Sequence, residues 1–187
     1  GSKDIPYETE WKRLEKVISS FKKKFSKVFL STDTRKSDVM LKAIKYNTDL
    51  INDISGFDYD PKSIEKIKNY DVWKVLHHMQ GTPDNMQINP NYKNVLLDIY
   101  DFFEKKIDID FKKFKYKKFI IDPGIGFGKN LKHNLTLMHN ISLFHTLGFP
   151  LLIGTSRKKF INQISGQFDS KERIGGTLAS VLYTLQQ

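Results

Sequence analysis

Residues 119–130 read FIIDPGIGFGKN, a short apolar run that ends in Asp122 and opens into glycines at 124, 126 and 128 before Lys129. Glycines beside a lysine raise the question of phosphate binding. A P-loop requires a glycine five positions before its Gly-Lys pair and a Ser or Thr after it, and this chain has Pro123 and Asn130 there. A dinucleotide fingerprint spaces its glycines G-x-G-x-x-G, whereas these stand two apart throughout. What survives is a strand that delivers a carboxylate to its C-terminal end, followed by a turn whose backbone can approach a ligand closely. A plain strand-to-helix turn with a solvated aspartate would use the same residues.

Further polar groups recur at equivalent places. Apolar, β-branched runs at 28–34, 50–57, 72–79, 119–126 and 151–158 carry, or lead directly into, Asp33, Asn52, His78 with Gln80, Asp122, and then Ser156, Arg157 and Lys158, each toward the C-terminal end of the strand expected there. Helical patterns separate these runs. The first, 7–25, places Trp11, Leu14, Val17, Ile18 and Phe21 on one stripe, and others are expected near 37–47, 61–69, 91–106, 131–147 and 171–187. Asn130 is a candidate cap for the helix beginning at 131, and Gly148 with Pro150 would end it. Strands alternating with helices predict a parallel sheet covered by helices. In a (β/α)8 barrel the C-terminal strand ends form the active face, so the recurring polar groups are expected to converge on one cavity there. Five strands are counted where a closed barrel needs eight, and such barrels take roughly 250 residues. The fold expected is therefore a (β/α)8 TIM barrel with about five of its strands represented, a single domain over 1–187 that is incomplete at both ends.

Composition narrows the function classes. The 187 residues are 39% hydrophobic, enough for one substantial core. No apolar run reaches the ~18 residues of a membrane span, and the N-terminus shows no signal-peptide core. Without cysteine there can be no disulfide and no thiolate metal site, which suits a cytoplasmic protein. The net charge of +10 and the stretch FKKFKYKKF at 111–119 invite a nucleic-acid reading. Lysines are spread through the whole chain, however, so solvated helix faces explain them and an anionic small molecule is the better partner. His77 and His78 read as packing or solvent groups, and no zinc site is expected.

These motifs resemble the dihydropteroate synthase family of pterin-binding barrels. The resemblance rests on STDTRK with Asp33, LINDISGF with Asn52, HHMQGTPDNMQ at 77–87, IDPGIGFGK with Asp122, HNLTLMHNISLF, LLIGTSRKKFI and ERIGGTLAS, in the family's order from about Glu8 to Tyr183. It implies that barrel strands one, two and eight are the ones not represented. It also implies condensation of 6-hydroxymethyl-7,8-dihydropterin pyrophosphate with 4-aminobenzoate, giving 7,8-dihydropteroate and pyrophosphate in folate biosynthesis. The pterin would be read by Asp33, Asn52, Met79, Asp122, Gly126, Phe127 and Lys158, with Gln80 behind them and Asp33 and Lys158 as the catalytic pair. A carboxylate and a side-chain amide suit the paired hydrogen bonds of a pterin's amide face and exocyclic amine. Ser156, Arg157 and Lys159 would hold the aminobenzoate.

The resemblance further implies Mg²⁺, with its ligand outside this chain, and a possible homodimer to which LASVLYTL could contribute. One departure stands out: many family members have a serine after Ser-Arg-Lys, where this chain has Lys159, a point charge for the same carboxylate. Arg35, Lys129 and Arg157 are the remaining basic candidates for an anion. Two other readings compete: a methyltetrahydrofolate-binding methyltransferase domain on the same barrel, and a truncated pterin-binding product without turnover.

Overall fold

The computed structural model describes residues 4–111 and 118–187. Most of the basic stretch at 111–119 lies outside them. The chain divides into two compact units, one of residues 1–77 with 106–120 and one of 78–105 with 121–187.

The first unit is built on parallel strands β1 (Ser31–Asp33), β2 (Leu50–Asp53) and β3 (Trp73–His77), with the first residues of β4 (Phe119–Asp122) beside β3 in the order β1-β2-β3-β4. Register matters for function. Asp33 pairs with Asn52, and Asn52 with Val75, so the acid and the amide stand side by side on one face of adjoining strands. β2 is nearly continuous in burial, as expected for a strand of a parallel sheet whose two faces are both covered. Helix α1 (Tyr7–Lys24) has acidic residues in its first turn and Lys22–Lys24 in its last, the arrangement its dipole favours. Its buried stripe is narrower than the sequence pattern: Trp11 and Ile18 are inside, whereas Val17 is 65% exposed. Helix α2 (Ser37–Lys45) buries Val39, Met40, Ala43 and Ile44, and the short α3 (Ser63–Ile67) buries Ile67.

In the second unit, α4 (Val95–Lys106, its last residue counted with the first unit) buries Val95, Ile99 and Phe103. The Phe103 ring meets Phe144 edge to face, 5.9 Å between centroids. Helix α5 (Leu131–His139) begins where expected. The Asn130 side chain accepts from the His133 amide at 2.9 Å and the His133 ring accepts from the Asn130 amide at 3.3 Å, a reciprocal cap. The helix stops at Asn140, and a 3₁₀ stretch, Ile141–Leu147, carries on to Gly148 at φ 79°.

The fifth expected strand is corrected. Only Leu151 joins the sheet, bridging Ile121 through Ile121 N–H to Pro150 O and Leu152 N–H to Ile121 O, both 2.9 Å. Beyond it residues 152–155 belong to no strand and the chain turns at Ser156 and Arg157, with Arg157 at φ 52°. Two unexpected features follow: helix α6 (Lys159–Ser165), which buries Phe160 and Ile161, and a 3₁₀ turn (Ser170–Arg173) leading into α7 (Ile174–Leu185). Glycine at 176 permits the close approach of α6 and α7, since a Cβ there would run into Ile161 Cγ2.

Candidate functional site

In the first unit the strand ends open on a cavity of about 380 Å³. Asp33, Thr34, Arg35 and Lys36, at and beyond the end of β1, line it with Asn52 from β2 and Glu10 and Arg13 from α1. Lys36 bridges Asp4 and Glu10 at 2.8 Å each, and the Thr34 hydroxyl donates to Glu10 at 2.5 Å, so both carboxylates at the mouth of the cavity are already partnered. Asp33 remains exposed, with a long 3.5 Å contact from the Ser31 hydroxyl on its Oδ1. Asn52 differs: its Oδ1 is buried and has no hydrogen-bond partner. An orphaned amide oxygen costs on the order of 1–3 kcal/mol unless a ligand's donor supplies the missing bond.

Asp53, the next residue on β2, points to the opposite face. It is fully buried, accepts from the Ser55 amide at 2.8 Å and the Ser55 hydroxyl at 2.5 Å, and leaves Oδ2 unpartnered. Burial pushes its carboxyl up to about 6 against the pull of those two bonds. The sequence motifs do not single out Asp53, although strand alternation separates it from Asn52 by face.

In the second unit the chemistry gathers around the glycine turn. Asp122 ends β4 buried, with Oδ1 accepting from the Gly124 amide at 2.8 Å. Desolvation raises its carboxyl to about 6, opposed by that amide and by the charges of Lys158 and Lys129. Lys129 is 3% exposed, and its ammonium donates to Phe127 O at 2.9 Å and lies 3.1 Å from His78 Nδ1. Burial pushes it down to about 7, with Asp122 pulling the other way. Lys158 is half-buried, donates to Ile125 O at 2.8 Å and stands 4.1 Å over the Phe127 ring. Burial lowers its ammonium too, again against Asp122. A buried carboxylate with two weakened ammonium groups around it can accept from one edge of a flat heterocycle while a lysine donates to another.

The glycines serve backbone approach. A Cβ on Gly126 would lie 2.9 Å from Lys158 Cδ, and one on Gly128 would lie 2.5 Å from Gln80 O. Met79 follows β3, half-exposed. Ser156 and Arg157 are exposed at a turn, where the Arg157 amide donates to the Thr177 hydroxyl at 2.9 Å, and Lys159 starts α6. His77 Nδ1 lies 3.0 Å from Ile54 O, and the His78 ring packs edge-on against Phe102 at 4.9 Å, so both histidines are engaged in structure.

Among the described residues no group of three or more His, Asp or Glu side chains comes together as metal ligands. No described helix is long and apolar enough to cross a membrane.

A family model described as pterin binding enzyme matches residues 1–187. The dihydropteroate synthase of Escherichia coli K12 is 34% identical over 100% of this chain and 66% of its own length. The solved dihydropteroate synthase of Yersinia pestis, in complex with a sulfonamide drug, superposes with a TM-score of 0.92 at 33% identity, covering 97% of this chain and 66% of that one. The Xanthomonas albilineans enzyme solved with 4-aminobenzoic acid gives 0.90 at 29% identity over 100% of this chain and 66% of that one. The chain spans 62% and 66% of the length of two curated relatives it matches. The fold class is thus α/β of the (β/α)8 TIM-barrel kind, with four strands in the described residues.

Proposed function

The chain belongs to the pterin-binding enzyme family, and from that premise we propose that it acts as a dihydropteroate synthase. The observation that carries the proposal is Asp122, a buried carboxylate at a strand end with the ammonium of Lys158 drawn into its field. Such a group is costly to desolvate as an anion and is stabilised by a ligand that presents N–H donors to it. Asp122 would take the amide and exocyclic amine of the pterin, and Lys158 would donate to its acceptor atoms. Asn52 would satisfy its orphaned Oδ1 with a pterin N–H. Gly126, Phe127 and Met79 would supply wall, with Phe127 already packed on Lys158.

In the reaction the bond between the pterin methylene and the pyrophosphate oxygen breaks, its electron pair leaving with pyrophosphate. Positive charge develops on the methylene and spreads into the ring. Asp33, an exposed carboxylate facing the first unit's cavity, would stabilise that charge as it forms. The amine of 4-aminobenzoate then forms the new C–N bond and releases a proton. Ser156, Arg157 and Lys159 would hold its carboxylate, Lys159 as a point charge where a hydroxyl serves in many relatives. The complexes of relatives with 4-aminobenzoic acid and with a sulfonamide drug support the aminobenzoate half of this reading. A cytoplasmic location and a homodimer belong to the same reading, the latter supported by exposed Leu178, Leu182 and Leu185 on α7.

Calorimetric titration with a pterin ligand tests this, together with pyrophosphate release in the presence of 4-aminobenzoate. Asp122→Ala and Asn52→Ala are expected to weaken binding, the first by about 1.5–3 kcal/mol for each hydrogen bond lost to a charged carboxylate and the second by about 0.5–1.5 kcal/mol for a neutral one. Undiminished binding by both variants would sink the proposal.

A further inference from the structure

The segment between β3 and α4 does more than connect them. The side chain of Gln80 pairs with both backbone groups of Asn91, accepting from its N–H at 2.9 Å and donating to its C=O at 2.7 Å, so residues 80–91 form a closed loop. Inside it, the Thr82 amide donates to Asn85 Oδ1 at 2.7 Å and the Met86 amide to Thr82 O at 2.7 Å. The loop reaches the glycine turn at separate points. Gln87 Nε2 donates to Gly126 O at 2.7 Å, and the Tyr92 hydroxyl donates to Gly128 O at 2.8 Å. From the other side, the Gly126 amide donates to Asn134 Oδ1 at 2.7 Å. Gly126 is therefore held at both of its backbone groups, by Gln87 and Asn134.

What rests on that glycine is Lys158. Its stem passes so close that a Cβ on Gly126 would sit 2.9 Å from Lys158 Cδ, its ammonium donates to Ile125 O, and it stands over Phe127. We propose that Gln87 is a positioning residue for Lys158: by clamping Gly126 it fixes the backbone seat on which the lysine's stem and ammonium lie. The role in catalysis rests on the synthase reading; the clamp itself does not. Gln87 is exposed, so its removal is not expected to disturb a packed core.

The test uses Gln87→Met, which keeps the length and loses the donor, and Gln87→Arg, which restores a donor to Gly126 O and does not itself react with an amine-acylating reagent. Two readouts are taken: the acylation rate of Lys158 by an amine-reactive acylating reagent, followed by mass spectrometry, and kcat with the separate KM values for the pterin substrate and for aminobenzoate. Gln87→Met is expected to change the Lys158 acylation rate by roughly 2- to 10-fold, the equivalent of one modest hydrogen bond. Lysines remote from the turn should keep their rates, and Gln87→Arg should return the rate toward wild type. A comparable loss in kcat, with KM for aminobenzoate unmoved, places the effect at Lys158. An unchanged Lys158 rate in Gln87→Met overturns the proposal. So does an equal change at every lysine, which would mark general loosening. A shifted Lys158 rate in a protein that binds no pterin would uphold the clamp and refute the synthase reading.

Discussion

Replacing Asp122 by asparagine separates what the carboxylate does for a ligand from what it costs the fold. Its carboxyl is raised from 3.8 to about 6, chiefly by desolvation. A folded-state value above the unfolded one means that the native protein binds more protons between those values. The group's contribution is then best below about pH 4 and is lost as pH rises to about 6. The difference corresponds to about 3 kcal/mol, which the native state carries as a penalty once the acid is fully ionised. The amide introduced by D122N would not titrate, yet would keep an oxygen to accept from the Gly124 amide, which in the native protein lies 2.8 Å from Asp122 Oδ1. Lys129 loses an opposing charge, but burial already pushes its ammonium down to about 7, so at about pH 8 it is largely neutral and loses little. Urea unfolding of D122N and wild type is compared at about pH 5 and about pH 8 by circular dichroism. Roughly half of the penalty has already developed at the lower pH, so the variant should gain a further ~1.5 kcal/mol on wild type between the two. Pterin affinity should fall by about 100-fold or more. A variant that is less stable than wild type at the higher pH, or that follows the same pH slope, would refute the premise that Asp122 is held against its own solvation.

Two structural predictions accompany it. Gly128→Ala combines a left-handed φ of 60° with a Cβ only 2.5 Å from Gln80 O, and should cost about 2–4 kcal/mol in urea unfolding. Asn130→Ala removes the side-chain half of the α5 cap, and should cost about 1 kcal/mol in the same assay, with the m-value unchanged.

The strand-to-helix alternation and the polar group toward each strand end were legible because both are local: burial makes the strands apolar, and the polar residue that interrupts each run marks where the face opens. Asn130 and Gly148 were legible for the same reason, since a cap is chosen by the nearest few residues. The stretch at 151–158 misled because its apolar start has the composition of a strand. Only Leu151 finds a partner, and the turn at Ser156–Arg157 lies in backbone angles that composition does not encode. Helix α6 is seven residues long, too short for its period to register against its flanks. Lys129 was noted as a base that could meet an anion, and its burial against Phe127 O and His78 depends on a contact 51 residues apart in sequence.

The same long-range contacts explain the glycine turn better than any phosphate motif does. Gly124, Gly126 and Gly128 all lie at positive φ, between 60° and 82°, a conformation in which a side chain costs about 1–2 kcal/mol per residue. Their two-residue spacing thus follows from the turn's conformation. Two of them also answer to neighbours: Gly126 leaves room for the Lys158 stem, and Gly128 for the backbone of Gln80. Those two neighbours come from opposite sides in sequence, one preceding the turn by 48 residues and one following it by 32. The turn is a bearing surface between the 80–91 loop and Lys158, so its glycines answer to those neighbours and carry no phosphate-binding spacing, while the carboxylate just before the turn still points to a ligand.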